Sequence, residues 1–152
     1  MEKTAIFPGS FDPFTSGHED IVLRSLQLFD KVIVAVGHNS QKKRYFDIDE
    51  MLGYINQAFK NNDRVSVILY DELTAELAKK YKAQFLVRGL RNTTDFEYEN
   101  AIAQVNRHLN ADIETVFMIT SPMLAQISSS IIREVHKYGG DVTPFLPYKL
   151  NS

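Results

Sequence analysis

The sequence contains no cysteine, which excludes disulfide bonds, thiolate chemistry and cysteine-ligated zinc sites. It also lacks an excess of basic residues: 17 lysines and arginines stand against 19 acidic residues, a formal net charge of -2. Proteins whose main partner is DNA or RNA usually carry a strong positive excess, so we expect no nucleic-acid partner. No apolar run approaches the roughly 20 residues that span a bilayer, so we expect no membrane partner either.

What the sequence does contain is the composition of an ordinary globular domain. Its 152 residues are 44% hydrophobic and 24% charged, a length and balance typical of one domain that builds its own core. The first residues lead almost at once into an apolar segment, and no signal-peptide pattern precedes it. We therefore predict a single domain over residues 1–152 and a cytoplasmic location.

The apolar pattern alternates along the chain between the spacing of strands and that of helices. Short, nearly continuous apolar runs, typical of strands covered on both faces, occupy residues 4–7, 31–37, 64–70, 84–87 and 115–120. Helical spacing follows over residues 17–29, 47–59, 73–81, 94–109 and 129–138. This alternation predicts an α/β fold: one doubly wound, Rossmann-like, five-stranded parallel sheet with helices on both faces. Ligands bind such sheets beyond the carboxyl ends of the strands.

The loop after the first strand has the features of an anion site. Neither the dinucleotide fingerprint nor the P-loop motif occurs in the sequence. Instead, residues 8–15 lead into a helix whose first turn carries Gly17 and His18, with Ser16 and Glu19 at capping-box spacing. The free N–H groups of a helix start favour an anion, and Gly17 permits its close approach. A lone histidine is more often a half-buried structural residue, but this loop favours a phosphate contact for His18.

Two other loops offer cations at the same edge of the sheet. Lys42 begins a run of three cations after the second strand. Such a run is usually a solvated turn, but its place makes Lys42 a candidate phosphate ligand. Arg88 and Arg91 follow the fourth strand, which neighbours the first strand in the usual doubly wound order. Their planar guanidinium groups match phosphate oxygens. An equally weighted alternative pairs them with acidic residues between positions 95 and 99.

Three consecutive serines, at positions 128–130, open the last predicted helix. Serines at a helix start are ordinary N-caps, which stabilise a helix by about 1 kcal/mol. They could equally present hydroxyl and N–H groups to a triphosphate, with Arg133 one turn into the helix. The two roles do not exclude each other.

Taken together, these motifs resemble those of the phosphopantetheine adenylyltransferase family, within the nucleotidyltransferase superfamily. Thr15-x-Gly17-His18 is similar to the T/HxGH signature of the superfamily, and the segment 127–133 is similar to its second signature. The likeness to the narrower family is carried by residues 9–13, 88–91, 95–99, 106–109 and 140–147. It extends from about residue 5 to residue 147.

The resemblance implies an enzyme that transfers the adenylyl group of ATP to 4'-phosphopantetheine, giving dephospho-coenzyme A and pyrophosphate. In such a reaction the phosphate of the second substrate attacks ATP directly and in line, without a covalent enzyme intermediate. The resemblance also implies a homohexamer, coenzyme A as an inhibitor, and Mg²⁺ held mainly by the ATP phosphates. We therefore expect no dedicated metal ligands among the protein's own side chains.

The same resemblance implies roles for individual residues. The implied catalytic residues are His18, Lys42 and Arg91. The residues implied for 4'-phosphopantetheine are Ser10, Lys42, Thr74 and Arg88, with Leu73, Asn106 and Glu134 near Thr74. The residues implied for ATP are Ser10, Phe11, His18, Gly89, Leu90, Arg91, Glu99, Leu124, Ala125, Gln126, Ile127, Ser128, Ser129 and Ser130.

Two other functions fit parts of the sequence. One is another nucleotidyltransferase of the same fold, acting on nicotinamide mononucleotide or a phosphorylated polyol. The segments 88–91 and 95–99 favour phosphopantetheine over these substrates. The other is a noncatalytic nucleotide-binding or flavodoxin-like module, which would bind a ligand without turnover and tolerate a change of His18. Composition and periodicity leave this second function open, whereas the set of motifs argues against it.

Overall fold

The computed structural model describes residues 1–151. Its strands and α-helices alternate as β1 Thr4–Gly9, α1 Ser16–Ser25, β2 Lys31–Gly37, α2 Ile48–Ala58, β3 Val65–Tyr70, α3 Thr74–Lys80, β4 Phe85–Leu90, α4 Thr93–Leu109, β5 Glu114–Ile119 and α5 Ser129–Lys137. Two short 3₁₀ helices flank α5, at Pro122–Leu124 and Thr143–Phe145. Within residues 1–151, no helix combines the length and the apolar character needed to cross a membrane. The alternation confirms the predicted α/β class.

All five strands form one parallel sheet in the order β3-β2-β1-β4-β5. β1 and β4 therefore lie side by side where the strand order reverses, as predicted. Their pairing is short, because only Ala5 with Phe85 and Ile6 with Leu86 are in register. By contrast, β1 pairs with β2 along its whole length. β1 and β4 thus separate before their carboxyl ends, which opens the crevice in which folds of this kind bind ligands.

Hydrophobic side chains fill both faces of the sheet. Along β2, Val32, Val34 and Val36 belong to the larger buried cluster, to which α1, α2 and α5 contribute. Ile33 and Ala35 belong to the smaller cluster, together with residues of α3. This alternation follows the two-residue period of a strand. It explains the nearly continuous apolar runs of the sequence and confirms that helices cover both faces.

The start of α1 differs from the prediction. Its N-cap is Thr15, whose hydroxyl accepts a hydrogen bond from the His18 backbone N–H. The His18 side chain in turn accepts from the Thr15 backbone N–H. The predicted capping box of Ser16 and Glu19 was therefore wrong. A histidine at the third helical position provides the acceptor that a glutamate usually provides there.

The end of β4 also differs from the prediction, since the strand continues to Leu90. Arg88, Gly89 and Leu90 stay in register with β5. We predicted a strand that ends at residue 87 and a loop that begins at Arg88, but pairing with a neighbouring strand outweighs the weak strand preference of Gly89. Arg88 is therefore presented by a rigid strand and not by a loop.

Candidate active site

The separation of β1 and β4 leaves two adjoining clefts at the carboxyl edge of the sheet. The larger cleft has a volume of about 440 Å³ and the smaller cleft about 340 Å³. They share a wall formed by Gly9, Ser10, Arg88, Tyr98 and Glu99. Two ligands bound in these clefts would contact the same few side chains, an arrangement that fits a reaction between two substrates.

His18 lies in the wall of the smaller cleft, in the first turn of α1. The ring centroids of Phe7, Phe11 and Phe14 lie 6.0, 5.0 and 5.3 Å from that of its imidazole. The Thr15 backbone N–H donates to Nδ1 over 2.9 Å. Because an accepting Nδ1 carries no proton, the proton of the neutral ring is on Nε2. The ring thus keeps one N–H donor, at Nε2.

The surroundings of His18 keep the imidazole neutral. Burial, and to a smaller extent the charges of Arg88 and Arg91, hold the pKa of His18 at about 3, well below its ordinary value of 6.5. At neutral pH the free protein therefore carries an uncharged, oriented hydrogen-bond donor at this position. The ring packs against aromatic side chains and also lines the cleft, so its structural role leaves it within reach of a ligand.

Arg88 bridges β1 and α4. Its Nε donates to both carboxylate oxygens of Glu99, over 2.7 and 3.0 Å, and its Nη2 lies 2.6 Å from Oε1. Its Nη1 donates to the carbonyl of Pro8. Glu99 is only 5% exposed, so its carboxylate depends on this partner. A guanidinium has five N–H donors, which leaves one at each terminal nitrogen for a ligand.

Arg91 and Lys42 line different clefts. Arg91 lies just after β4, pairs with Asp95 through Nε and Oδ2 over 3.1 Å, and lines the smaller cleft. Lys42 lines the larger cleft from the exposed loop after β2. The ion pairs that the sequence left open as an alternative therefore exist for both arginines. They fix the guanidinium groups without removing them from the clefts.

The serines at the start of α5 cap the helix and also line the smaller cleft. Ser128 is the N-cap, and its hydroxyl accepts from the Ile131 backbone N–H. The Ser129 hydroxyl donates to the carbonyl of Pro13 over 2.8 Å, which ties α5 to the loop after β1. All three serines also line the smaller cleft. The starts of α1 and α5 therefore converge on one cavity.

Most residues implied by the resemblance lie on one of the two clefts. Those on the larger cleft are Ser10, Lys42, Thr74, Arg88, Glu99 and Asn106. Those on the smaller cleft are Ser10, Phe11, His18, Arg88, Gly89, Arg91, Glu99, Leu124, Ile127, Ser128, Ser129 and Ser130. The residues that line neither cleft are Leu73, Leu90, Ala125, Gln126 and Glu134. The roles of these five rest on the resemblance alone.

Sequence reasoning missed part of the larger cleft. Tyr70 lies in its wall, with its hydroxyl 3.2 Å from Oγ1 of Thr74. Tyr98 and Ile102 of α4 line the same cleft beside Asn106. These three are spaced by four residues and share one helix face, a pattern visible in the sequence. The sequence could not show that this face turns toward the cleft.

The fold is also found among solved structures of distant sequence. The chain superposes, with a TM-score of 0.70, on a bifunctional NMN adenylyltransferase/ADP ribose pyrophosphatase of Francisella tularensis complexed with AMP and a manganese ion. The superposition covers 99% of this chain and 46% of that protein, at 15% sequence identity. At this identity the likeness shows the fold alone.

Sequence comparison reaches closer relatives. The cytidylyltransferase-like family model matches residues 6–135. Over 150 residues the chain is 66% identical to the phosphopantetheine adenylyltransferase of Cytophaga hutchinsonii, covering 99% of this chain and 100% of that protein. It is 51% identical over 145 residues to the Flavobacterium johnsoniae protein of the same name, covering 95% of each. These full-length matches show that the chain belongs to the phosphopantetheine adenylyltransferase family.

Proposed function

We propose that the chain transfers the adenylyl group of ATP to 4'-phosphopantetheine, with ATP in the smaller cleft and 4'-phosphopantetheine in the larger one. The products are dephospho-coenzyme A and pyrophosphate. The observation that carries the proposal is the shared wall, because Ser10 and Arg88 line both clefts. A phosphate in the larger cleft would meet the triphosphate at these two side chains.

The obstacle to this reaction is the repulsion between two anions. The phosphate of 4'-phosphopantetheine must approach the α-phosphorus of ATP in line with the departing pyrophosphate. Arg88 and Lys42 would hold the attacking phosphate, and Arg91 would contact the triphosphate. Cations and N–H groups that are fixed before the reaction reduce the repulsion and stabilise the charge that develops. The substrate's own phosphate is the nucleophile, so the mechanism needs no covalent bond to the enzyme.

His18 would donate its Nε2 proton in a hydrogen bond to the reacting phosphate. The imidazole is neutral in the free protein because its pKa is about 3. Two bound anionic substrates would raise that pKa, since nearby negative charge favours the protonated ring. His18 would therefore offer an oriented donor on binding and gain positive character as negative charge builds up beside it.

The starts of α1 and α5 would cradle the triphosphate. Gly17 and His18 of α1 and the three serines at residues 128–130 line the same cleft. Free N–H groups and the positive ends of two helix dipoles would thus face the ATP phosphates. Leu124 and Ile127 add apolar surface to this cleft, which fits the base of the nucleotide.

The larger cleft fits the pantetheine arm, which has two amides separated by short hydrocarbon segments. The hydroxyl groups of Tyr70 and Thr74 and the amide of Asn106 offer donors and acceptors. Ile102 and Leu86 offer apolar surface between them. A wall with both polar and apolar side chains therefore suits a ligand of this mixed character.

We expect Mg²⁺ to enter the site with ATP. Among residues 1–151, no group of three or more His, Cys, Asp or Glu side chains is placed to hold a metal ion. Mg²⁺ is commonly bound by substrate phosphates and water with only one or two carboxylates from the protein. The Francisella tularensis protein, of which this chain matches 46%, is likewise complexed with a divalent ion, manganese.

We infer a homohexamer of a cytoplasmic, single-domain protein, and α4 offers one surface for its contacts. Val105 and Leu109, four residues apart on this helix, are 58% and 40% exposed, and neighbouring exposed apolar side chains mark surfaces that partners cover. Further copies of the chain are the partners we expect. Coenzyme A contains parts of both substrates and would inhibit by occupying the joined clefts.

Product analysis tests the proposed activity directly. The purified chain is incubated with ATP, Mg²⁺ and 4'-phosphopantetheine, and dephospho-coenzyme A is measured by mass spectrometry. Nicotinamide mononucleotide and a phosphorylated polyol replace 4'-phosphopantetheine in parallel reactions. We expect an adenylylated product from 4'-phosphopantetheine only. Turnover of another acceptor alone would assign the chain to a different nucleotidyltransferase, and ATP binding without product would make it a noncatalytic module.

A further inference from the structure

Arg44, the last of the three cations after β2, does not extend into solvent. Its Nη1 and Nη2 donate to the carbonyls of Ser10 and Phe11 over 2.5 and 2.8 Å. Its Nε donates to the carbonyl of Phe46 over 3.1 Å. Every nitrogen of the guanidinium is thus bound to a backbone oxygen, and two of those oxygens belong to the loop after β1.

A second set of hydrogen bonds runs in the opposite direction between the same two segments. The carboxylate of Asp12 accepts from the backbone N–H groups of Tyr45 and Phe46, over 2.9 and 2.8 Å. Residues 10–12 and 44–46 are therefore joined by four hydrogen bonds, two donated by Arg44 and two accepted by Asp12. Each of the four pairs a side chain of one segment with the backbone of the other.

The rest of the loop is held in the same manner. The carbonyl of Asp12 accepts from Arg133 over 2.7 Å, and the carbonyl of Phe14 accepts from the Tyr148 hydroxyl over 2.6 Å. Within this loop Phe11 has a φ of 45°, a conformation that aromatic residues rarely adopt. The loop thus has an unusual backbone that side chains from other segments hold in place.

Holding these carbonyls also sets the direction of the N–H groups. A trans peptide points its N–H away from its own carbonyl. The Ser10 carbonyl turns toward Arg44, so the Phe11 N–H turns away from Arg44. Ser10 and Phe11 both line the smaller cleft. Arg44 therefore determines which face of this peptide a ligand meets.

We propose that Arg44 is a positioning residue, which holds the loop after β1 so that Ser10 and the Phe11 N–H meet the substrate phosphates. The proposal rests on the function proposed above. Arg44 also lies two residues after Lys42, which lines the larger cleft. It thus ties the loop that carries one phosphate ligand to the loop that lines the ATP cleft, and keeps the two substrates in a fixed relation.

A lysine cannot reproduce this role. An ammonium group is a single donor point, whereas the guanidinium fork reaches two successive carbonyls and a third oxygen at once. A lysine would, however, preserve the positive charge near the phosphates. Replacing Arg44 by lysine and by methionine therefore separates positioning from simple attraction of anions. Lys43 is exposed beside it, and Lys43→Met is the matched control for charge removal.

The experiment measures kcat and both KM values for the full-length wild type, Arg44→Lys, Arg44→Met and Lys43→Met. We expect kcat to fall at least about tenfold in both Arg44 variants, because small misplacements of substrate-orienting groups cost this much or more. We expect Lys43→Met to match the wild type within about twofold. Hydrogen exchange of residues 10–14, followed by mass spectrometry, should become faster in both Arg44 variants, since the loop loses its anchor.

Three results would overturn the proposal. One is an Arg44→Lys variant whose kcat stays close to that of the wild type, which would show that charge alone suffices. Another is a raised KM with unchanged kcat in Arg44→Met, which would make Arg44 a phosphate ligand. The third is a lowered melting temperature with unchanged kcat, which would make it purely structural. If Arg44→Met does not fold, the lysine variant decides.

The failure of this proposal is distinguishable from the failure of the proposed function. A wild type that forms no dephospho-coenzyme A would refute the function. Hydrogen exchange of residues 10–14 in Arg44→Lys would still test whether Arg44 holds the loop, because it needs no substrate. Unchanged exchange in that variant would refute the positioning role even in an active enzyme.

Discussion

The backbone N–H of Thr15 donates to Nδ1 of His18 over 2.9 Å, so the start of α1 itself determines the tautomer of the histidine. Nε2 is then the protonated nitrogen of the neutral ring. The pair is local, three residues apart, and does not depend on a distant carboxylate for its orientation. The donor is therefore in place before any substrate binds.

We expect His18→Ala to lower kcat at least about 100-fold, because one preorganised donor to a developing charge typically contributes that much. Steady-state rates of dephospho-coenzyme A formation check this. His108→Ala, at an exposed histidine of α4, is the control and should keep the wild-type rate. Near-normal turnover in a folded His18→Ala protein would rule out the assigned role.

The depressed pKa of His18 also predicts how stability changes with pH. Between its ordinary pKa of 6.5 and the folded value of about 3, the unfolded chain binds a proton that the folded chain does not. Stability should therefore fall as the pH falls through this window, by up to about 1.4 kcal/mol per pH unit from this residue. Urea unfolding at several pH values should show a smaller loss in His18→Gln. Identical slopes for the two proteins would contradict the prediction.

Arg88 and Glu99 should be coupled in their effect on the free energy of unfolding, whereas substrate binding should depend on Arg88 alone. Arg88→Met leaves the buried Glu99 carboxylate without its partner, which typically costs about 3–5 kcal/mol. The double variant Arg88→Met/Glu99→Gln should recover much of that loss, as urea unfolding would show. Isothermal titration should show both variants weakened more for 4'-phosphopantetheine than for ATP. The opposite order would overturn the assignment of the larger cleft.

The hydroxyl pair of Tyr70 and Thr74 should affect one substrate only. Thr74→Val removes a hydroxyl at nearly constant shape, and the loss of one hydrogen bond corresponds to about 1 kcal/mol, or roughly fivefold in KM. We expect that increase for 4'-phosphopantetheine and no change for ATP, with Tyr70→Phe as the matched variant. An equal change in both KM values would mean that the pair does not face the pantetheine arm.

Much of the fold could be predicted because each element carries its own local signal. The valines of β2 predict a strand buried on both faces, as the structure has it. Asp47 and Ser128 are typical N-cap residues, and both are N-caps in the structure. At α1 the signal was ambiguous, because Thr15 and Ser16 are both good caps. Only the acceptor nitrogen of His18 decides between them.

The position of a candidate residue in the clefts was predictable where the residue lies near the carboxyl edge of the sheet, as His18 does in the first turn of α1 and Arg88 does near the end of β4. It was not predictable where a role depends on a partner far along the chain. Arg44 looks like a surface cation because nothing near it in sequence reveals its bond to Ser10, 34 residues away. Tyr70 looks like the last residue of a strand, since its position over Thr74 depends on how α3 begins.

The early parting of β1 and β4 has a consequence for ligand entry. After Ile6 and Leu86, β1 and β4 are no longer paired with each other. β1 stays paired with β2, and β4 stays paired with β5. The slot between them thus follows from the pattern of strand pairing and is not the frayed end of one pair. A nucleotide that enters this slot would not have to break hydrogen bonds between strands. Substitutions at the carboxyl ends of β1 and β4 would therefore alter the site and leave the strand pairing in the middle of the sheet intact.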